Sequence, residues 1–473
     1  MIQSRTVLIA ALMAMGLFVE AFGEGAPRGA DRNWHAWRGP LATGEAPKAD
    51  PAVEWGEKKN VRWKVEIPGR GHAAPIVWGD RVYIQTAVET SKEAEAAADV
   101  AGDVPVFATL QPGGSPPEGE RRRGGGRGGR GRNRPPAPKN LYDFKVLALD
   151  RKTGKTVWSK TVREEKPHEA GHSDASQASN SPVTDGEHLY AYFGSRGLYG
   201  LTLDGKVEWE VDLGDMRTRN EFGEGSSPVL HGDTLIINWD HEGNDFIVAF
   251  DKKTGKERWR VERDEPTSWS TPIVVEVEGK PQVVVTATNR VVAYDVETGK
   301  EIWSCGGMTA NTIPSPMAAD GLLYAISGFR GAALLAIDYA KAKGDITETP
   351  AIAWTYDRDT PYVPSATLYN GRLYFVDNNR PLLSCLDAKT GKPHYEKERL
   401  AGIDGVYASL VAAKGRIYVV GRDGTTLVIK DGPKFEVLAT NELEDGFDAS
   451  PAIAGDELFL RGTKHLYCIA DTD

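Results

Sequence analysis

One phrase recurs eight times along this 473-residue chain, and a repeat at a near-constant period constrains a fold more than any other sequence feature. A small residue, Ser or Thr and then Pro or a small residue open a short apolar run. A turn, mostly built on Gly, leads into a second apolar strand. The copies are "AAPIVWGDRVYI" (73–84), "NSPVTDGEHLYA" (180–191), "SSPVLHGDTLII" (226–237), "STPIVVEVEGKPQVVV" (270–285), "PSPMAADGLLYA" (314–325), "PSATLYNGRLYF" (364–375), "ASLVAAKGRIYV" (408–419) and "ASPAIAGDELFL" (449–460). From Pro182 onward the aligned positions stand about 44 residues apart, the period of a four-stranded propeller blade.

Each copy has the same internal logic. Two apolar runs flanking a turn predict a hairpin. A third strand follows and ends in Leu-Asp, Phe-Asp or Tyr-Asp. Next comes a Thr-Gly-Lys turn, as in "LDRKTGKTVW" (149–158), "FDKKTGKERW" (250–259) and "YDVETGKEIW" (294–303). There the Asp and Thr side chains are suited to bond backbone N–H groups, and Gly supplies the left-handed conformation. Trp158, Trp259 and Trp303 each follow their Asp by eight residues, and Tyr395 takes that place in the sixth copy. A large aromatic repeated on the outer strand predicts packing between neighbouring blades.

The eighth copy stops after its third strand and has no Trp strand, whereas "NVRWKVE" (60–66) is a Trp strand with no repeat before it. Pairing the two closes the ring and removes two sheet edges. The expectation is an all-β chain: an eight-bladed propeller of four-stranded blades over 60–471, closed by the N-terminal strand around Trp63. Residues 24–59 are expected to be an extended lead-in.

These phrases resemble the PQQ-like propeller repeat of the quinoprotein dehydrogenases and of the propeller lipoprotein of outer-membrane assembly. The lead-in "NWHAWRGP" (33–40) and "SPVTDGEHLYAYFG" (181–194) are similar to those of exported bacterial propellers of this type. The repeat speaks for the fold and leaves function open. In the dehydrogenases, the resemblance implies a quinone held between a Trp and a ring of adjacent cysteines above Ca²⁺. This chain departs from that pattern. Its three cysteines, Cys305, Cys385 and Cys468, are far apart, and Cys385 and Cys468 alternate with apolar neighbours as packed side chains do.

Residues 1–23 read as a secretory signal: Arg5, the apolar run "TVLIAALMAMGLFV", then small residues. The run is short for a membrane span, so a periplasmic or secreted monomer without stable membrane insertion is expected. A net charge of −10 argues against specific nucleic-acid binding. One segment contrasts with that charge. Residues 89–140 fit no blade and contain "PPEGERRRGGGRGGRGRNRPPAPKN", a composition unable to bury a core. It reads as a disordered basic insert in the first blade, either a solvated loop or a contact for an anionic polymer.

Ligands are expected at the channel mouth, on the face carrying the loops that enter each first strand and those joining second to third strands. Three sets of residues map there. Arg196, Arg330 and Arg380 share one repeat offset, and Arg290 and Arg422 occupy comparable loops. Five guanidinium groups predict a positive arc for a carboxylated or phosphorylated ligand, unless neighbouring carboxylates hold them. The third blade interrupts the arc with "WDHEGND" (239–245). His72, His168, His172 and Asp174 are candidate metal ligands, and Asn220, Glu221 and Glu265 offer oxygens of the kind Ca²⁺ takes. Trp269 is either blade packing or a flat floor for a planar ligand. The leading expectation is a non-catalytic exported binding or scaffold protein, its partner a protein or an anionic cell-envelope ligand and its cofactor none. The alternative is an oxidoreductase dependent on PQQ with Ca²⁺ or on another metal.

Overall fold

In the computed structural model, which describes residues 27–94 and 138–471, eight four-stranded antiparallel sheets, one of them extended by a short parallel fifth strand, stand around a central channel. Blade 1 runs from Ile76 to Glu165, blade 2 from Val183 to Val211, blade 3 from Val229 to Glu262 and blade 4 from Ile273 to Gly306. Blade 5 spans Met317 to Tyr356, blade 6 Thr367 to Arg399 and blade 7 Val411 to Glu442. Blade 8 takes three strands from Ala452–Ile469 and its fourth from Val61–Glu66. The register of that last pair includes Trp63 opposite Cys468 and Val65 opposite Leu466. The expected closure is therefore the observed one. The signal read in residues 1–23 lies outside the described residues. Among the described residues no helix is long and apolar enough to cross a membrane.

Middle strands such as Thr234–Trp239 are buried at every position because each blade is covered on both faces by its neighbours. Outer strands such as Glu257–Glu262 bury only alternate residues. The Thr-Gly-Lys turns form as the sequence predicts. Asp150 Oδ1 accepts hydrogen bonds from the Thr153 amide (2.9 Å) and hydroxyl (2.7 Å), and Asp251, Asp295 and Asp387 repeat the arrangement.

The same turn receives the aromatic of the preceding blade. Trp158 Nε1 donates to Leu203 O (3.0 Å), Trp209 to Lys252 O (3.1 Å), Trp259 to Val296 O (2.8 Å) and Trp354 to Ala388 O (3.1 Å). Trp63 donates to Arg151 O (2.9 Å), so the N-terminal strand docks blade 8 on blade 1 by the same contact. A Cβ on Gly154 would lie 2.7 Å from the Trp63 ring, and the corresponding distance from Gly255 to Trp209 is also 2.7 Å. The turn glycine is thus required twice, by its positive φ and by the indole lying against it. Across each sheet the residue opposite the aromatic is small: Ala148, Gly200, Ala249, Ala293, Ala336, Cys385 and Cys468. Cys385 and Cys468 therefore fill a position where a bulky side chain would displace the ring. Trp303 departs from the docking rule because blade 5 lacks the Thr-Gly-Lys turn. The residues before its last strand instead add Gly344–Asp345 in parallel to the outer edge of blade 4, and Trp303 turns inward to Gln282.

One boundary differs from expectation. The strands flanking the basic insert pair as far as Glu93 and Asn140, so the insert is narrower than 89–140; its residues 95–137 lie outside those described. The lead-in is no loose extension. It crosses the face opposite the mouth and bonds blade after blade: Trp34 pairs with Val77, Thr184 N–H donates to His35 O (3.0 Å), and Ala46 N–H donates to Ala412 O (2.8 Å). The Arg38 guanidinium, buried, lies among the oxygens of Leu410 (2.7 Å), Ala366 (2.6 Å), Thr43 (3.3 Å) and Thr367 (2.9 Å). Burial lowers its pKa to about 9, which leaves it charged at neutral pH.

Candidate functional site

The Ser/Thr of the repeated phrase builds the inner wall of the ring. The Ala74 amide donates to Ser181 Oγ (2.9 Å), Ser181 to Ser227 (2.9 Å), Ser227 to Thr271 (2.9 Å) and Thr271 to Ser315 (3.2 Å). Ser315 donates to Ser365 (3.0 Å), Ser365 to Ser409 (2.9 Å) and Ser409 to Ser450 (2.9 Å). Each blade thus satisfies the inner amide of the one before it. The eighth rung has no hydroxyl because Ala74 stands there.

Above this ladder, at the mouth, lies a cavity of about 710 Å³. Its wall comes from one register of the repeat, two residues before each ladder position. In blades 1 to 4 these are His72, Ser179, Gly225 and Trp269; in blades 5 to 8 they are Ile313, Val363, Tyr407 and Asp448. Phe222, Phe329, Tyr362 and Asp174 complete it from neighbouring loops. Phe329 and Tyr362 stack at 4.8 Å, and Trp269 lies 6.4 Å from Phe222 with its Nε1 donating to Gly223 O (2.6 Å). The floor is closed by the lead-in. Trp37 donates from Nε1 to Ser315 Oγ (2.9 Å) and borders both this cavity and a second one on the opposite face. The mouth is two-sided in character. Blades 4 to 6 present aromatic and aliphatic side chains, blade 3 adds Phe222 beside Asn220, Glu221 and Glu224, and blades 7, 8, 1 and 2 present Tyr407, Asp448, His72 and Asp174.

Four of the five arginines lie in connections between second and third strands and Arg290 opens the third strand of blade 4, but the predicted anion-binding arc does not form. Arg196 pairs with Glu165 and Asp215 and contacts His168. Arg290 pairs with Glu265, and Arg380 with Asp377. Arg422 donates to Asp448 (2.6 Å) and Asp174 (3.1 Å) while covering the Tyr407 ring at 3.9 Å. Arg330 alone of the five makes no carboxylate pair among the described residues; it lies over Phe329 at 5.2 Å. The carboxylates come from different repeat offsets from blade to blade, which is why the arc looked unpaired. The interruption at 239–245 is internal as well: Asp240 is buried and accepts from Arg263 Nε (2.7 Å).

The metal candidates do not converge. His72, His172, Asp174, Asn220 and Glu221 share the mouth, yet among the described residues no group of three or more His, Cys, Asp or Glu side chains could hold a metal ion. His72 lies 3.8 Å from Asp448, and burial pushes its pKa down to about 4, so it is neutral above that pH. His168 bonds Met216 O (2.6 Å), and Glu265 is taken by Arg290; neither borders the cavity. Asp174 is held by Arg422 and by the Tyr407 hydroxyl (3.2 Å). Among the described residues the donors for a Ca²⁺-bound quinone are therefore not assembled, and all three cysteines are buried.

Sequence reasoning placed Trp269 correctly on the mouth face and passed over Trp37, Phe222, Phe329, Tyr362 and Tyr407. For Tyr407 the signal was present: it holds the same offset before the repeated Ser that Trp269 holds before Thr271. Trp37 carried none, since the lead-in has no counterpart in the repeat.

The model of the family described as outer membrane protein assembly factor BamB matches residues 142–243 and 243–473. Among solved structures, the quinohaemoprotein alcohol dehydrogenase of Comamonas testosteroni is similar over 93% of this chain and 81% of its own, at 10% identity and a TM-score of 0.57. The quinohaemoprotein alcohol dehydrogenase ADHIIG of Pseudomonas putida HK5 is similar over 94% and 81%, at 11% identity and 0.56. BamB from Moraxella catarrhalis covers 69% of this chain and 93% of its own, at 13% identity and 0.49. The likenesses to the two dehydrogenases show a shared fold. Among curated proteins none matches the chain.

Proposed function

The chain belongs to the PQQ-like repeat family described as outer membrane protein assembly factor BamB, and we propose that it is an exported, non-catalytic binding protein that holds its ligand or partner at the channel mouth. One observation carries the reading. All eight blades send the same repeat position to the wall of a single cavity of about 710 Å³. That volume lies within the range of small-molecule sites. A mixed wall over a sealed floor is built to hold something. The arginines favour no anion, because four of the five are already matched by carboxylates.

The alternative is a quinone-dependent oxidoreductase, which the similarity of fold to two such enzymes keeps in view. Its chemistry needs a bound metal and a tricarboxylate cofactor, whereas Asp174 and Asp448 at the mouth are both engaged by Arg422. The test is direct. The full chain is incubated with pyrroloquinoline quinone and Ca²⁺, desalted, and assayed for dye-linked alcohol oxidation. The expected result is quinone absorbance leaving with the small-molecule fraction and dye reduction at background. Retained quinone together with alcohol-dependent dye reduction would overturn the reading.

A further inference from the structure

We propose that the mouth takes a neutral saccharide; this inference rests on the reading of the mouth as a binding site and names the chemistry of its occupant. Charge comes first. Asp174 and Asp448 share Arg422, while Arg70 and the buried Arg461 also act on the adjacent His72. His72 itself is uncharged at neutral pH. Of the other acids bordering the cavity, Glu224 is held by the Ser195 amide and hydroxyl, and Glu221 is exposed to screening solvent, so no strong local field selects a cation. The ion-paired arginines select no anion.

The shape of the polar and apolar surfaces comes next. Trp269 and the stacked Phe329–Tyr362 pair line one side. Aromatic faces are electron-rich and attract the weakly positive C–H groups on the face of a sugar ring. Across from them, the Asp174 and Asp448 carboxylates have lone pairs beyond those used by Arg422 and Tyr407, ready for sugar hydroxyl donors.

The floor decides against a purely apolar occupant. Ser227, Thr271, Ser365, Ser409 and Ser450 border the cavity, and each accepts a backbone hydrogen bond from the neighbouring blade. That contact uses a lone pair and leaves each hydroxyl proton to donate. An occupant without acceptors would strip these groups of water with nothing in return, which costs free energy for each one. A saccharide offers acceptors and donors along its edges and an apolar face. A phenylalanine side chain offers only the face.

The experiment uses the full chain and a panel of neutral tetrasaccharides: cello-, malto-, xylo- and N-acetylchitotetraose. Binding is followed by intrinsic tryptophan fluorescence and by calorimetry. At least one member is expected to bind with a Kd of about 1 mM or tighter. Its affinity should be unchanged between low and high NaCl, because no net charge is involved. Trp269→Ala should weaken it by about tenfold or more. Trp269→Phe should retain most of the affinity, and an unchanged circular dichroism spectrum confirms that both variants fold. If no tetrasaccharide binds, if affinity falls steeply with salt, or if Trp269→Ala leaves it unaltered, the inference is overturned. The quinone assay above has a separate readout. Failure with saccharides while quinone still washes off removes the sugar and leaves the binding-protein reading standing.

Discussion

Removing the Trp63 side chain should show what the N-terminal strand contributes, and a double-mutant cycle with Gly154 isolates the contact that matters. Trp63 is buried, donates to Arg151 O and lies against Gly154 of blade 1. Trp63→Ala should cost about 3–5 kcal/mol, the range for a large buried aromatic. Gly154 has φ +71, and an added Cβ would stand 2.7 Å from the indole. Gly154→Ala therefore carries about 1–2 kcal/mol of left-handed backbone strain, plus about 1 kcal/mol or more as the displaced indole loses its hydrogen bond. Gly79 is the control. Its φ is +55 and an added Cβ meets nothing within 4 Å, so Gly79→Ala should show only the backbone part. In the Trp63→Ala background, Gly154→Ala should fall toward the Gly79 value, the Val65 Cγ1 contact at 2.9 Å remaining, with a coupling of about 1–2 kcal/mol. Urea unfolding of the four proteins, followed by far-UV circular dichroism, gives the cycle. Additivity within about 0.5 kcal/mol would refute the docking argument.

The remaining predictions concern the lead-in and the insert. The buried His35 imidazole is pushed down to about 4 from 6.5 by loss of water. Above 6.5 it is neutral in both folded and unfolded chains. As pH falls from 6.5 through 4 the unfolded chain gains a proton that the folded one refuses, so stability is lost, by about 3 kcal/mol at the acid end. Thermal melts across that window should fall more steeply for the wild type than for His35→Phe, and parallel curves would contradict the assignment. Replacing 95–137 by a short Gly-Ser loop should shift Tm by less than about 2 °C, since loop length adds little closure entropy. The chain ends there already meet, with Ala94 N–H donating to Lys139 O (3.1 Å). A large loss of Tm would mean that the insert packs on the blades.

The ring was legible in the sequence because its contacts are local and repeat. An Asp-x-x-Thr-Gly turn states its own hydrogen bonds, and an aromatic at a fixed offset states where the next blade must sit. The spare Trp strand of 60–66 and the missing fourth strand after Ile469 identified each other. What escaped was aperiodic. Arg38 and Trp37 have no repeat partners, so nothing in their spacing foretold a segment threaded under the channel. The arginines misled for a related reason. Arg196, Arg290, Arg380 and Arg422 align with the repeat, whereas their partners Glu165, Glu265, Asp377 and Asp448 occupy different offsets from blade to blade. Alignment displays the shared charge and hides the individual compensation.

The central claim is a ring of eight blades closed within one chain by its N-terminal strand, and a cross-link tests it most directly. Val65 and Leu466 are register partners on adjacent antiparallel strands. Such partners stand roughly 4.5–5.5 Å apart between Cα atoms, within disulfide reach. With Val65→Cys and Leu466→Cys combined with Cys305→Ala, Cys385→Ala and Cys468→Ala, mild oxidation followed by non-reducing gel analysis and peptide mass mapping reads the pairing. The account predicts one disulfide between positions 65 and 466 within a monomer. A free thiol pair in folded protein, or a cross-link found only between two chains, would contradict it.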